Sequence, residues 1–489
     1  MKLKGIVFGS LWSVVNLFLS LTKSLLLVPL FLTIWESDDY AIWILLLSLA
    51  LLIQGFNLGF IQYAGNEINL TFHRSKDKAI YIFSSATKFL LILFSIEAFI
   101  ALFFYNEDIQ LYIFNDIKVF ENQIILPIFI YSCLVYNCIL RFFPRLFEPI
   151  GRVDLLARIN LIFTSLELLM MIISLSFLKT NLNDFILIIS LFYLSSSFLI
   201  FLVIKKRFNI FFNNIFKGST KYGGQIFLSS LGFFFTNLIE KLNNESISLI
   251  IAKFISISLI PLFYTTKTFT NLFVRVNNIS LDLISPYFQK YFQENRNDKI
   301  ILIHRLYWLI TSAPIFIIII VSLPYIQYVF DIWVQNKINF DYKLYVLFLI
   351  SISIISYGTI FSYFLKCINR VKLVSISVFL KTIFFYFTFI FCPKDLYGFL
   401  IAFIVSDVLL YLIIYRKYVL KILKSQNNFS LLTSLIPLFV ITSFLTISFF
   451  KSSIYINLSA LTLLIVYYSF EFFLLRSAIS LLLKKIKNI

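Results

Sequence analysis

The sequence predicts an all-α polytopic membrane protein with about fourteen transmembrane helices. Of its 489 residues, 60% are hydrophobic and only 13% are charged, which leaves too little polar surface for a water-soluble domain of this length. The apolar residues are gathered in segments of about 20 residues, the length that crosses the hydrocarbon core of a bilayer as one helix. Helices are expected there because each helix satisfies its own backbone hydrogen bonds in lipid.

Fourteen apolar segments follow one another along the chain. The first continues well beyond the length of a signal peptide and has no small-residue cleavage site, so we expect it to be retained as a helix. The segment third from the end and the pair at 222–285 have the least distinct boundaries. The predicted spans are 5–35, 40–64, 79–104, 123–142, 157–178, 184–204, 222–250, 259–285, 300–325, 343–365, 371–392, 397–415, 430–450 and 454–475.

The distribution of positive charge supports this set of spans. With a cytoplasmic N-terminus, 29 of the 42 Lys and Arg residues fall in inner segments, 7 in outer segments and 6 within spans. Inner loops of membrane proteins collect Lys and Arg, and here the bias holds along the whole chain. We therefore expect an even number of spans with both termini in the cytoplasm. The net charge of +18 needs no nucleic-acid partner to explain it.

An even number of spans also predicts the domain organisation. Six spans on each side of a basic loop start from the same side of the membrane, which allows two parallel six-helix repeats around a central cleft. We expect an N-terminal six-helix bundle at 1–204, a basic cytoplasmic linker at 205–221 and a second six-helix bundle at 222–417. Two additional helices and a basic cytoplasmic tail follow at 418–489.

The eighth span carries a polar stripe. Its polar residues are spaced by three or four positions, so they share one face of a helix. Lipid cannot solvate such a face, which must meet another helix or a water-filled cavity. The stripe either binds a substrate or is paired internally, for instance Arg275 with Asp282. Its members are Tyr264, Lys267, Asn271, Arg275, Asn278 and Asp282.

Other polar residues lie within predicted spans. Lys23 is deep in the first span, on one face with Ser13, Asn16 and Ser20. It is either a site residue or the partner of a buried acid. Glu167 in the fifth span and Asp407 in the twelfth are candidates for coupling a proton or sodium ion, and each could equally pair with one of these cations. Glu97 lies nearer the outer end of the third span.

Three of these cations predict an anionic ligand. Lys23, Lys267 and Arg275 come from different halves of the chain. If both stripes face the cleft between the halves, they form a cationic patch at the middle of the membrane. Such a patch fits phosphate, which Arg binds through paired hydrogen bonds.

Several function classes find no support in the sequence. There is no Gly-rich phosphate-binding loop of an ATPase and no constellation typical of a hydrolase or metalloprotease. The predicted outer segments are short, which disfavours enzymes with an active site outside the bilayer. We expect a transport protein without enzymatic activity, cofactor or bound metal.

Three stretches resemble bacterial O-antigen and capsular polysaccharide flippases of the multidrug/oligosaccharidyl-lipid/polysaccharide exporter superfamily. One is the opening of the chain, where Asn57 replaces a common Asp and Ala41 a common Gly. The second leads from a short outer turn into the eighth span, and the third follows the ninth span. The residues that carry the resemblance are 27–32 (LVPLFL), 35–44 (WESDDYAIWI), 56–61 (FNLGFI), 260–267 (IPLFYTTK), 285–292 (SPYFQKYF) and 331–334 (DIWV).

The resemblance implies transfer of an undecaprenyl-diphosphate-linked oligosaccharide from the cytoplasmic to the outer leaflet of the bacterial inner membrane. It implies alternating access between two bundles, and other polysaccharide assembly proteins as partners. The alternatives are a cation-coupled multidrug exporter of the same superfamily, a membrane polysaccharide polymerase or ligase, and a non-transporting assembly scaffold.

Overall fold

The protein is helical throughout its described length. The computed structural model describes residues 3–72, 75–113, 124–150, 152–215, 217–368, 370–423, 435–450 and 454–487. No β-strand occurs within these ranges, which confirms the predicted all-α class. The chain divides into two compact units, Met1–Pro261 and Leu262–Ile489.

The first unit contains nine α-helices among its described residues. A 3₁₀ turn at Phe143–Phe147 follows the fifth helix, and a π-helical turn at Ile173–Phe177 follows the sixth. The helices are α1 (Leu3–Ile34), α2 (Ser37–Phe72), α3 (Lys76–Phe103), α4 (Glu107–Ile113), α5 (Ile125–Phe142), α6 (Val153–Ile172), α7 (Leu182–Arg207), α8 (Asn209–Asn213) and α9 (Thr220–Phe254).

The second unit begins within the first turn of α10 and contains ten helices in the described ranges. Two of its long helical segments include π-helical turns, at Trp308–Ser312 and Val408–Tyr415. The helices are α10 (Ile260–Gln293), α11 (Asn297–Tyr307), α12 (Ala313–Ser322), α13 (Ile326–Val334), α14 (Tyr342–Cys367), α15 (Val371–Phe391), α16 (Leu396–Asp407), α17 (Arg416–Leu423), α18 (Leu435–Phe450) and α19 (Ile454–Lys487).

Each predicted span coincides with a helical segment. In the described part of the chain, ten helical segments are long and apolar enough to cross a membrane, and Phe18–Ile34 and Leu435–Phe450 are shorter apolar helices. The protein is therefore a multi-pass membrane protein. Helices α9 and α10 are in neither set, because charged and amide side chains interrupt their apolar sequence. That these two helices also cross the membrane stays a prediction.

Polar side chains fix the starts of several helices. The Asn181 side chain accepts a hydrogen bond from the backbone N–H of Asp184 at the start of α7, and Asp341 and Asp395 cap α14 and α16 in the same way. A cap of this kind satisfies one of the backbone donors that a helix leaves unpaired in its first turn. These residues explain why the long apolar sequence is cut into separate helices where it is.

Helix α9 belongs to the first unit because it packs closely along α2. Gly55 and Gly59 of α2, spaced four apart, face α9 at this contact. A Cβ atom on Gly59 would overlap the Phe234 backbone, and one on Gly55 would touch Lys241. Small residues at this spacing let two membrane helices approach closely. The compact units thus divide at Pro261, whereas the sequence-based domain boundary lies in the 205–221 linker.

Part of that linker is bound to α3. Lys88 Nζ donates a hydrogen bond to the Gly218 carbonyl oxygen at 2.7 Å, and the Gly218 N–H donates to Ser84 Oγ at 2.6 Å. The Ser219 N–H donates to Ser85 Oγ at 3.0 Å. The start of α9 is therefore attached to α3 of the first unit by side-chain hydrogen bonds.

Candidate functional site

A polar cavity of about 370 Å³ lies inside the first unit, between α1, α2, α5, α6 and α7. The neighbouring core is closed by aromatic packing of Phe31, Trp35, Trp43 and Phe185. The spacing of Asn16, Ser20 and Lys23 on α1 directs them to one side of the helix, as the sequence predicts. The polar residues that line the cavity are Asn16, Ser20, Lys23, Tyr136, Asn137, Thr164, Glu167 and Tyr193.

An ion pair between α1 and α6 crosses this cavity. Lys23 Nζ lies 2.5 Å from Glu167 Oε2, and the two side chains are only 22% and 13% exposed. Tyr193 on α7 donates its hydroxyl hydrogen bond to Glu167 Oε1 at 2.7 Å, and its ring stacks on Tyr136 at 4.7 Å. This is the pairing that the sequence left open as one alternative for both charged residues.

The arrangement is suited to binding an anion reversibly. An ammonium has three hydrogen-bond donors, and Glu167 has a second partner in Tyr193. A phosphate oxygen entering the cavity can therefore approach Lys23 while Glu167 keeps the tyrosine hydrogen bond. The amide and hydroxyl groups of Asn16, Asn137 and Thr164 offer further donors for a polar ligand.

Helix α10 runs without interruption through the predicted stripe, so the stripe positions follow one side of it. Lys267 Nζ lies 5.0 Å from the centroid of the Tyr264 ring, a cation–π distance. Lys267 and Asn271 are both half-buried. The side chains of Arg275, Asn278 and Asp282 lie outside the described residues.

The second candidate for ion coupling is also in an ion pair. Asp407 on α16 is fully buried, and its Oδ1 lies 2.5 Å from Lys381 Nζ on α15. Ser351 on α14 donates a hydrogen bond to Asp407 Oδ2 at 2.9 Å. The Lys381 ammonium also lies 4.3 Å from the centroid of the Phe403 ring. A role of Glu167 or Asp407 in ion coupling stays a prediction.

Sequence reasoning missed two further groups. Glu97 on α3 is buried, although its position near the outer end of the span suggested access to water. Arg305 and Glu471 form an ion pair at 2.8 Å within the second unit. Charged residues in apolar sequence were the available signal for both. Within the described ranges, no cluster of three or more His, Cys, Asp or Glu side chains could hold a metal ion.

Comparison with known proteins identifies the fold. No protein-family model matches the sequence, and no curated protein matches it. The chain is similar in structure to the lipid II flippase MurJ in an inward closed conformation, with a TM-score of 0.63 and 16% identity over 97% of this chain and 100% of the other. It is also similar to an inward-facing multidrug resistance MATE family transporter of the MOP superfamily, with a TM-score of 0.62 and 12% identity over 85% and 99%. The MATE multidrug transporter DinF-BH gives 0.55 and 14% over 87% and 93%.

These similarities define the protein as a multi-pass membrane protein with the fold of MOP-superfamily transporters. The neighbours include both a lipid flippase and drug transporters. At identities of 16% or less in these comparisons, the shared feature is the fold, and the substrate has to be argued from the side chains of this chain.

Proposed function

We propose that this protein is a flippase that moves an undecaprenyl-diphosphate-linked oligosaccharide from the cytoplasmic to the outer leaflet. The observation that carries the proposal is the polar cavity among membrane helices with Lys23 in its wall. A cation and several amide and hydroxyl groups suit a diphosphate joined to sugars. A flippase for a related lipid-linked substrate, MurJ, has the same fold.

In this mechanism the cations hold the diphosphate while two bundles alternate in access to each side of the membrane. Lys23 contributes from the first unit. Lys267 and Arg275 contribute from the second, and Asn271, Asn278 and Asp282 bind the sugar-phosphate end of the substrate. The lipid tail stays in the bilayer. Catalytic chemistry has no place in this scheme, because the substrate leaves with the same covalent bonds.

The proposal includes the cellular setting. The protein is placed in the bacterial inner membrane with both termini in the cytoplasm, because the basic segments fall on one side of the predicted spans. Its partners are the lipid-linked glycan, the bilayer and other polysaccharide assembly proteins. The glycan belongs to an O-antigen, capsule or similar surface polysaccharide.

A cation-coupled multidrug exporter is the second candidate, and the structural similarity to MATE transporters favours it. The two candidates differ in what the cavity cations do. A phosphate clamp is essential to a flippase, whereas drug export should survive its loss. A polymerase or ligase differs from both, because it forms new glycosidic bonds, and a scaffold tolerates single substitutions in the cavity.

The deciding experiment follows a labelled lipid-diphosphate oligosaccharide across proteoliposome membranes. We expect transfer by the wild type and a loss of at least tenfold in Lys267→Ala and Arg275→Ala at equal protein levels. Unchanged transfer in both variants removes the clamp from α10. If the wild type transfers no lipid-linked sugar but exports cationic dyes, the protein is a drug exporter.

A further inference from the structure

Glu97 differs from the other buried acidic residues. Four Asp and Glu residues with described side chains are at most 9% exposed. Asp154 lies beside Arg152, Asp407 beside Lys381, and Glu471 beside Arg305. Glu97 is 3% exposed and forms no ion pair with any described residue, and neither of its carboxyl oxygens has a hydrogen-bond partner.

The surroundings of Glu97 are polar but uncharged. The Asn57 side chain of α2 interacts with the Glu97 carboxyl, although its amide atoms form no hydrogen bond of normal geometry. Gln54 lies one turn from Asn57 on the same face of α2, and its amide is likewise buried without a partner. Buried polar groups are nearly always hydrogen-bonded, so this group of three side chains marks a site.

The groups around Glu97 include one titratable side chain. From α5, the buried Cys138 thiol is close enough to interact electrostatically with Glu97, and Arg141 is close to Cys138. Helices α8 and α9 also contact α3, and none of their described charged side chains pairs with Glu97. The attached linker brings Lys88 to Gly218 rather than to Glu97. No described cation therefore neutralises the carboxyl.

A charged carboxylate at this position is unfavourable, because burial of an unpaired ion in hydrocarbon costs several kcal/mol. A bound proton removes the charge and converts the group from an acceptor into one donor and one acceptor. Asn57 and Gln54 supply a carbonyl oxygen for the donor and an NH₂ for the acceptor. The two amides thus match a neutral carboxylic acid better than a carboxylate.

The geometry points to Glu97 as a proton-binding site that, given the proposed function, links transport to proton movement. In this step a proton from water on one side joins the Glu97 carboxylate to form the acid, and the same proton leaves to water on the other side. No other bond changes. The Asn57 and Gln54 amides stabilise the protonated state between these events.

Infrared difference spectroscopy on the purified protein tests proton binding without measuring transport. We expect a band of a buried carboxylic acid C=O that disappears in Glu97→Gln and persists in Glu36→Gln, where an exposed glutamate is removed. If Glu97→Gln folds poorly, Glu97→Asp keeps a carboxyl and should shift the band instead. A band that is unchanged in both Glu97 variants overturns the proposal.

Transport in proteoliposomes tests the link to proton movement. We expect a pH gradient to change wild-type flipping several-fold, and this response to be lost in Glu97→Gln and kept in Glu36→Gln. A response retained in Glu97→Gln, or one that follows a sodium gradient instead, rejects the proton link. If the wild type flips no lipid-linked sugar, the proposed function fails, while the infrared band still decides whether Glu97 binds a proton.

Discussion

Lys23 Nζ and Glu167 Oε2 lie 2.5 Å apart and connect α1 to α6 across the polar cavity of the first unit. The pair gives Lys23 two roles that substitution can separate. One is structural, because the ammonium neutralises a buried carboxylate. The other is the proposed binding of phosphate. A single substitution of Lys23 removes both roles at once.

A double variant separates them. Lys23→Met leaves Glu167 without its cation and should lower the free energy of unfolding by about 3 kcal/mol. Adding Glu167→Gln removes the uncompensated charge, so we expect thermal unfolding in detergent to return close to that of the wild type. Flipping should stay at least tenfold reduced in the double variant, because the phosphate ligand is still absent. Recovery of flipping together with stability would show that Lys23 is only structural.

The second ion pair should behave differently. Lys381→Met leaves the fully buried Asp407 with Ser351 as its remaining partner and should cost about 3–5 kcal/mol of stability. The double variant Lys381→Met/Asp407→Leu replaces two buried charges by apolar groups, which is often neutral. We expect it to regain stability and to flip lipid-linked sugar within twofold of the wild type. A stable double variant that does not transport would instead support Asp407 as an ion-coupling residue.

The positions of the helices were predictable from sequence, whereas their side-chain partners were not. Apolar length and basic loops locate a membrane helix, because both follow from its contact with lipid and water. Which helix Glu167 faces depends on how α6 packs on α1, and hydropathy carries no such information. The hydrogen bonds from Ser84 and Lys88 to the linker also depend on packing. Glu97 was underestimated because depth along a span does not reveal burial within the protein.

The close contact of α2 and α9 gives a prediction with a matched control. A methyl group at Gly59 would overlap the Phe234 backbone, whereas one at Gly232 of α9 meets nothing within 4 Å. Gly59→Ala should therefore lower the free energy of unfolding by about 1–3 kcal/mol. Gly232→Ala should leave it unchanged or raise it by up to about 1 kcal/mol. Thermal unfolding in detergent compares the two, and equal effects would mean that α2 and α9 do not approach this closely.

The last long helix is held by a salt bridge that a charge exchange can test. Arg305 Nη2 on α11 lies 2.8 Å from Glu471 Oε2 on α19, and the Tyr467 hydroxyl lies 3.4 Å from the other carboxylate oxygen. Arg305→Glu places two acids together and should loosen α19, so protease cleavage near the C-terminus should become at least fivefold faster. Glu471→Arg should do the same, because it places two cations together. The exchange variant Arg305→Glu/Glu471→Arg restores opposite charges and should return cleavage to within twofold of the wild type. If the exchange variant is cleaved as fast as either single variant, the packing around the pair rather than its charge holds the helix, because the new side chains then fail to fit the same space.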